Sequence, residues 1–241
     1  MNIFQKLLKI PSALNGYFFC DPYRNGEYKF LKKYLHSGMT VFDVGANIGE
    51  HTLKIKEYEK DVIIHCFEPI RNTFNVLKNN TIESSNIILN NIGLSDKSGD
   101  LDIYIYGELY GTNSVYNKQQ NESSLEKTII EKIHLTTIDD YILSNSINKV
   151  NFIKIDVEGH ELNILKGATK SLNNNLIKCI QFEYNYTWIN TGNYFKDTYT
   201  LLRSYGFTIY RLTPWGKIKI NKFIDKLENF PPASNYIALK K

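Results

Sequence analysis

Acidic side chains stand at the ends of two short apolar segments in the first third of this 241-residue chain. Asp43 lies in one segment, directly before a turn that contains Gly45 and Gly49, and Glu68 follows the segment 62–67. Glycines let the backbone approach a ligand closely, and a helix that begins near Gly49 would point free N–H groups at the same place. Because a carboxylate in an apolar strand needs a partner, the pattern predicts a ligand site.

Two cofactor classes could use such a site. An acidic residue at the end of the second strand can accept hydrogen bonds from the ribose hydroxyls of an adenosine cofactor. Dinucleotide-binding folds share this device, but their pyrophosphate usually meets a GxGxxG turn, whereas this turn reads Gly45-Ala46-Asn47-Ile48-Gly49. S-adenosylmethionine has an ammonium, a sulfonium and no phosphate, and therefore fits a turn backed by a carboxylate better. A nicotinamide-dependent oxidoreductase remains the alternative.

A second group of ionisable residues follows a later apolar segment. Lys154 and Asp156 alternate onto one face of the predicted strand, Glu158 and His160 come next at the turn into a helix, and Glu183 ends the following strand. The carboxyl ends of parallel strands share one edge of a sheet, and open α/β folds bind ligands there. We therefore expect this group to lie beside the first two acidic residues.

A hydroxyl that reacts at such a site must be aligned with its reaction partner and must lose its proton. His160 is a natural proton acceptor near neutral pH, and Asp156 is the other candidate base. A third alternative is a divalent cation, Mg²⁺ or Mn²⁺, held by oxygen atoms of Asp156, Glu158 and Glu183. Glu161 is interpreted as a favourable carboxylate in the first turn of its helix.

Apolar runs of strand length alternate with helical patterns from about residue 40 onward. Such runs are typical of parallel strands covered on both faces, and a βαβ succession has right-handed crossovers. The predicted fold class is therefore α/β, with a doubly wound sheet. Strands are predicted at 40–44, 62–67, 87–92, 150–155, 177–182, 208–212 and 236–239, and helices at 49–58, 71–83, 161–169 and 195–205.

The sequence predicts a helical N-terminal segment, 1–26, and one domain, 27–241. An edge strand and a polar loop are predicted as an insertion into this domain at about 99–135. Within that insertion the segment 101–106 alternates like a strand, and its expected partner is 132–135. The polar stretch between these two strands is predicted to be a loop over the edge of the sheet.

Composition excludes several classes of protein. The chain is 42% apolar and 22% charged, which is typical of a globular domain. A net charge of +4, spread along the chain, lacks the basic stripe of a nucleic-acid-binding protein. No apolar run reaches the roughly 18 residues of a membrane span, and Lys6 and Lys9 argue against a secretory signal. Cys20, Cys66 and Cys179 lack metal or disulfide spacing, so a cytoplasmic protein with free thiols is expected.

Motifs in a fixed order over roughly residues 22–239 resemble those of FkbM-type S-adenosylmethionine-dependent methyltransferases. The resemblance implies a Rossmann-like class I methyltransferase fold, with a seven-stranded, mostly parallel sheet whose last strand is antiparallel. It also implies methyl transfer mainly to hydroxyl oxygens. The motifs are Val41–Gly49, Phe67–Pro69, Asn91–Asp96, Leu135–Asp139, Phe152–Glu161 and Asn235–Ala238.

The resemblance also implies roles for single residues. Tyr23 and Glu27 would close over the cofactor, and Asp139 would be structural, as a cap at a helix start. Asp156 and Glu158 would face the reacting centre. With His160 they are the predicted catalytic residues, and Lys154 and Glu183 are predicted to bind the substrate. The implied cofactor-binding residues are Glu27, Asp43, Gly45, Ala46, Asn47, Gly49, Glu68, Pro69, Asn91, Leu94 and Ser95.

The predicted function is O-methylation of a hydroxyl on a sugar or nucleotide-activated sugar, in the modification of a bacterial surface polysaccharide. The expected partner is this small molecule, with no nucleic acid and no membrane span, and a homodimer is left open. A non-catalytic S-adenosylmethionine-binding scaffold is a further alternative. The full set of ionisable residues at the predicted edge argues against it, because a scaffold has no need of them.

Overall fold

The computed structural model describes residues 21–106, 128–228 and 234–240. In these parts the chain forms an eight-stranded sheet with helices on its faces and a separate three-stranded sheet. The strands are β1 (Thr40–Val44), β2 (Ile63–Phe67), β3 (Ile87–Asn90), β4 (Gly93–Leu94), β5 (Gly99–Tyr106), β6 (Thr128–Thr136), β7 (Phe152–Ile155), β8 (Cys179–Tyr184), β9 (Thr208–Thr213), β10 (Gly216–Lys219) and β11 (Ser234–Leu239). The helices are α1 (Glu27–Tyr34), α2 (Glu50–Tyr58), α3 (Arg71–Asn80), α4 (Ile138–Ser144), α5 (Glu161–Lys166), α6 (Thr169–Asn173) and α7 (Phe195–Ser204).

The large sheet has the strand order β10-β9-β11-β8-β7-β1-β2-β3. Its five central and edge strands from β8 to β3 are parallel neighbours, whereas β11 is antiparallel to both β8 and β9. The predicted α/β class and the antiparallel last strand are confirmed. β10 adds an eighth strand to the expected seven, because it forms a hairpin with β9.

The order of the sheet reverses at β1, which has β2 on one side and β7 on the other. At such a switch point the crossover helices leave on opposite faces, and a crevice opens at the carboxyl ends of the strands. Apolar side chains fill both faces, as the near-continuous apolar strands require. Phe42, Ile153 and Phe182 belong to the core of one face, and Val41 and Phe152 to that of the other.

The insertion forms its own sheet. β5 and β6 pair antiparallel along their length, so the strand at 101–106 is confirmed; it pairs with 128–133, which shares only residues 132 and 133 with the predicted partner. β5 is an edge strand of the small sheet and not of the large one, because β6 pairs on its other side with β4. Ile103 and Ile133 pack with Ile70 in a small apolar cluster between the two sheets.

Parts of two predictions lie outside the described residues. These are most of the N-terminal helical segment, residues 1–20, and the polar loop, residues 107–127. Within the parts of the chain that are described, no helix is both long and apolar enough to cross a membrane.

Asp139 caps a helix, as expected, but not the helix in which it lies. Thr137 is the N-cap of α4, since its hydroxyl accepts the Asp140 N–H at 2.9 Å. The Asp139 carboxylate reaches α6, where it accepts the N–H groups of Lys170 and Ser171, each at 2.8 Å. In place of the single helix predicted at 161–169, the structure has two short helices, α5 and α6. Asp139, which lies far away in the sequence, caps the second of them.

We expect Asp139→Ala to lower the free energy of unfolding by about 2 kcal/mol, because it removes the hydrogen-bond acceptor from two N–H groups in the first turn of α6. Chemical denaturation followed by circular dichroism measures the change. Asp140→Ala is the matched control, since the described contact of its side chain is an exposed one with Ser98. Equal losses in the two variants would contradict the assignment.

Candidate active site

One face of the large sheet carries a row of polar side chains near the carboxyl ends of its parallel strands. The register aligns Asp43 of β1 with Lys154 of β7, and Lys154 with Gln181 of β8. Asp156 and Glu183 follow on the same face, two residues further along their strands. The sheet therefore brings together residues that lie far apart in the sequence, as their positions at the ends of predicted strands indicated.

A cavity of about 420 Å³ opens at this edge of the sheet, a size usual for small-molecule sites. Its lining is strongly acidic: Lys154 is the one lysine or arginine among the described lining residues. The carboxylate residues that line it are Glu27, Glu50, Glu68, Asp156, Glu158 and Glu183.

The turn after β1 uses its N–H groups within the protein. Those of Gly45 and Ala46 both donate to the Phe67 carbonyl at 3.0 Å, and that of Asn47 donates to Glu68 Oε2 at 3.0 Å. These three N–H groups are therefore not available to a phosphate, which dinucleotide-binding turns bind through such groups. The expectation of free N–H groups concerned the start of α2, and it stays a prediction.

Gly45 and Gly49 are required by backbone conformation and packing. Gly45 has φ 76°, and a Cβ there would lie 2.0 Å from the carbonyl oxygen of Asp156. Gly49 has φ 93°, and its Cβ would meet Leu77 at 2.8 Å. Both values of φ favour glycine. Gly45 lines the cavity, whereas Gly49 is not among the lining residues.

Glu68 lies where the sequence predicts, at the end of β2 and on the cavity wall. Its two oxygens accept the N–H groups of Asn47 and Ile70, each at 3.0 Å. Burial raises the pKa of the Glu68 carboxyl to about 7, although these hydrogen bonds oppose the shift. Each carboxylate oxygen has a second lone pair, so Glu68 can still accept hydrogen bonds from two ribose hydroxyls.

Asp43 lies beneath the cavity and is not among its lining residues. Its carboxylate accepts a hydrogen bond from Thr52 at 2.6 Å and lies 3.5 Å from His51 Nδ1. Burial would raise the pKa of Asp43, but the neighbouring His51 and Lys154 and the hydrogen bond from Thr52 lower it to about 2. Asp43 therefore supports the site as a fixed negative charge below it.

The other predicted cofactor residues divide into two groups. Ala46, Asn47, Glu27, Pro69 and Leu94 line the cavity. Asn91 and Ser95 do not; the Asn91 amide donates to the carbonyls of Glu68 and Pro69, each at 2.9 Å, and so fixes the end of β2.

Two further parts of the lining come from outside the large sheet, and of their residues the sequence analysis named only Glu27 as a site residue. Ile103, Ile133 and Leu135 of the inserted sheet form an apolar part of the wall near Glu68 and Pro69. The alternation of β5 and β6 gave the strands, but only their three-dimensional placement shows that one face turns to the cavity.

The segment before α1 is the second part. Pro22, Asn25 and Tyr28 line the cavity with Glu27, whose N–H is bonded to Asn25 Oδ1 at 2.8 Å. The Glu27 carboxylate accepts a hydrogen bond from Gln181, and burial raises its pKa. The expectation that Glu27 faces the cofactor stays a prediction.

A lysine within a group of tyrosine rings holds this segment against α2. Lys54 Nζ lies 4.9 Å from the ring centre of Tyr23, 5.6 Å from that of Tyr28 and 5.3 Å from that of Tyr58. An ammonium over aromatic faces is attracted to them. Tyr23 therefore contacts a lysine rather than the cavity, of which it is not a lining residue.

The far side of the cavity holds the residues that the sequence assigns to catalysis. Lys154 Nζ donates to Asp156 Oδ2 at 3.0 Å. Burial alone would lower the pKa of Lys154, but the charges of Asp156, Glu27 and Asp43 outweigh burial and raise it. Glu158 occupies the left-handed region with φ 56°, which is uncommon outside glycine and marks a specialised turn.

His160 also lines the cavity, but its ring is part of a hydrogen-bonded chain. Nε2 lies 2.8 Å from Ser95 Oγ, which donates to Asp96 Oδ1 at 2.9 Å. Burial lowers the pKa of His160, although the charge of Asp96 opposes this. The imidazole is therefore neutral at pH 7.

Glu161 has a structural position. It is fully buried, and its oxygens accept the N–H groups of Val157 and Gly159 at 3.1 and 3.0 Å. These hydrogen bonds hold the turn between β7 and α5 in place. The role of Glu161 is therefore more specific than that of a carboxylate that only interacts with the helix dipole.

The candidate metal ligands are not arranged as a metal site. In the described residues, no three His, Cys, Asp or Glu side chains are placed to hold an ion, and Asp156, Glu158 and Glu183 are among those searched. The Asp156 oxygen that faces Lys154 is already occupied. The alternative of Mg²⁺ or Mn²⁺ thus has no support from the geometry, and no step below depends on it.

Comparison with known families agrees with this geometry. Residues 43–209 match the family model for the methyltransferase FkbM domain. This chain belongs to the FkbM methyltransferase family. The match runs from the last two residues of β1 to the first two residues of β9, and it includes the turn after β1 and the strand ends around the cavity.

Individual relatives give further detail. The chain is 32% identical over 133 residues to the hexuronic acid methyltransferase AglP of Haloferax volcanii, covering 55% of this chain and 51% of that protein. It is 26% identical over 184 residues to methyltransferase 1 of Beauveria bassiana, covering 70% and 72%. The chain thus spans about half the length of AglP.

The fold is that of class I methyltransferases. A solved structure named a "putative rRNA-methylase", from Clostridium thermocellum, superposes with a TM-score of 0.50 at 11% identity, over 89% of this chain and 93% of that chain. Such a low identity speaks for the fold alone.

The residues present fit S-adenosylmethionine. Glu68 can hold the ribose, the apolar wall of the inserted sheet suits an adenine ring, and the acidic lining suits a sulfonium and an ammonium. Among the described residues, the buried atoms Asn47 Oδ1 and His51 Nε2 have no hydrogen-bond partner, and both residues line the cavity. When bound, this cofactor would supply an activated methyl group.

We expect the affinity for S-adenosylmethionine to fall about tenfold between pH 8 and pH 6, because ribose hydroxyls donate to the ionised form of Glu68 and its pKa is about 7. In Glu68→Gln the affinity should be lower at pH 8 and should lose its dependence below pH 7. Isothermal titration calorimetry measures both. A wild-type profile retained by the variant would exclude Glu68 as the ribose ligand.

We expect Lys54→Met to weaken S-adenosylmethionine binding by roughly threefold, because the methionine keeps much of the side-chain volume but not the charge that attracts the three tyrosine rings. Lys56→Met, on the same helix, is the control, since Lys56 contacts the carbonyl of Lys60 and not these rings. The same calorimetric titration compares them. Identical affinities in both variants would show that the rings do not position the segment.

Proposed function

We propose that this chain is an S-adenosylmethionine-dependent O-methyltransferase that acts on a hydroxyl of a sugar or nucleotide-activated sugar. The observation that carries the proposal is the charge of the cavity, where six carboxylate residues face one lysine. A positively charged methyl donor balances this excess. The N–H groups of Gly45, Ala46 and Asn47 in the turn after β1 are bonded within the protein, unlike those of a turn that cradles the pyrophosphate of a nicotinamide cofactor.

A sugar acceptor is supported by similarity to AglP, whose name describes a hexuronic acid methyltransferase. The far side of this cavity bears Asp156, Glu158 and Glu183. Like charges placed together are unfavourable, so these residues disfavour the carboxylate of a uronic acid as the methylated atom and favour a neutral hydroxyl. We place the reaction in the modification of a bacterial surface polysaccharide.

The chain contributes mainly alignment and charge. Glu68 orients the donor through its ribose, and Glu27 and Asp43 add negative charge near Lys154. Lys154 holds Asp156 by an ion pair, so the Asp156 carboxylate has a defined position on the acceptor side. Well-aligned reactants can account for roughly 7–11 kcal/mol of a barrier.

Incubation with methyl-labelled S-adenosylmethionine and a panel of nucleotide sugars, followed by mass spectrometry, tests the proposal. The panel contains UDP-glucose, UDP-galactose, UDP-N-acetylglucosamine and UDP-glucuronic acid. We expect label in a base-stable methyl ether, whereas methylation of a carboxylate would give a base-labile ester. Asp156→Asn should lower turnover by about 100-fold while donor affinity changes little, because the ion pair that positions Lys154 is lost.

Other outcomes point elsewhere. A thermal shift with NADH and none with S-adenosylmethionine would favour the oxidoreductase. Tight donor binding without transfer to any sugar would count against the proposed acceptor class and would favour the non-catalytic scaffold.

A further inference from the structure

We infer, on the basis of the proposed function, that Glu183 rather than His160 takes the proton from the acceptor hydroxyl. Three side chains on the acceptor side could act as the base: His160, Asp156 and Glu183 line the same part of the cavity. Their hydrogen bonds distinguish them.

His160 has no free lone pair at the cavity. A serine hydroxyl has a single proton, and Ser95 donates it to Asp96. Ser95 must therefore accept from His160, which places the imidazole proton on Nε2. The unprotonated nitrogen, Nδ1, is buried from solvent and has no partner among the described residues. A hydroxyl in the cavity cannot deliver its proton there unless the ring turns.

Asp156 is occupied by a cation. Its Oδ2 accepts from Lys154 Nζ at 3.0 Å, and only 12% of the Lys154 side chain is exposed. Protonation of Asp156 would remove the carboxylate that is bonded to this buried ammonium, which is unfavourable. Asp156 therefore serves to hold Lys154 and not to receive a proton.

Glu183 is free on one oxygen. It lies near the end of β8, in register with Asn235 of β11, and both residues line the cavity. Asn185 donates to its Oε1 at 2.8 Å, and the described residues place no hydrogen bond on Oε2. This oxygen can accept a hydrogen bond from an acceptor hydroxyl.

The charges around Glu183 favour proton uptake. Burial, Asp156 and Glu158 raise the pKa of Glu183 to about 8, and Lys154 opposes them. Glu161 of α5 is a further acidic residue whose charge interacts with that of Glu183. A general base is most effective when its pKa lies near the working pH, and the positive charge of a bound sulfonium would lower the pKa of Glu183.

The step balances without a further reactant. The acceptor oxygen bonds to the methyl carbon, and the bond from that carbon to sulfur breaks and leaves its electron pair on the sulfur. The hydroxyl proton passes to Glu183 Oε2 and then to solvent. A uronic acid carboxylate would have no proton to lose, so a need for Glu183 identifies the acceptor as a hydroxyl.

Single-turnover rates between pH 6 and pH 9.5, with UDP-glucose as the acceptor, test the role of Glu183. We expect Glu183→Gln to lose about 100-fold or more in rate while its S-adenosylmethionine affinity stays within threefold. Glu183→Asp should restore part of the rate and keep a rise with pH. His160→Gln should keep the rise seen in the wild type. A Glu183→Gln rate within threefold of wild type, or loss of the rise in His160→Gln instead, would overturn the inference.

A measurement that needs no acceptor accompanies it. Carbon-13 NMR of protein labelled at the glutamate carboxyl carbons follows each titration, and Glu183→Gln identifies the signal of Glu183. We expect a midpoint near 8 in the free protein that moves down when S-adenosylmethionine is added. A midpoint below 5 would overturn the inference even if no sugar of the panel were methylated, a result that would instead count against the proposed function.

Discussion

Excess negative charge at one edge of a sheet is the constraint on which the rest of this structure depends. Carboxylates that share a poorly hydrated cavity repel one another, and water solvates the charge of each less well than at the protein surface. The protein meets this cost in two ways. Lys154 neutralises part of the charge from below, and protonation at near-neutral pH is within reach of Glu68 and Glu183, whose pKa values lie at about 7 and 8. The remaining charge favours a cationic ligand.

The elements around the cavity position the residues at this edge of the sheet. Parallel β1, β7 and β8 bring their polar residues into register, and Asp43 lies beneath the cavity as a buried charge. The segment before α1 and the inserted sheet add walls that the sheet itself lacks. One wall is held by cation–π contacts of Lys54, the other by the apolar cluster around Ile103 and Ile133.

Side chains that the sequence places in one motif take up different tasks. In the run from Asp156 to Glu161, Asp156 pairs with a lysine, Glu158 shapes a strained turn, His160 bonds to Ser95, and Glu161 is buried as a hydrogen-bond acceptor for the same turn. A residue type and its position on a strand end indicate where a side chain lies. They do not indicate which of its atoms are already engaged, because the partners come from other strands.

The sequence by itself determined the α/β class, the strand ends where the acidic residues gather, and the place of Glu68. These follow from apolar periodicity and from the geometry of parallel sheets, which are local properties of the chain. Only the tertiary structure decided that Asp43 lies below the cavity, that His160 offers the cavity no acceptor nitrogen, and that the inserted strands form a separate sheet. Those outcomes depend on burial and on hydrogen bonds between distant residues, such as Ser95 with His160, and no spacing along the chain encodes which of two neighbouring polar groups will pair.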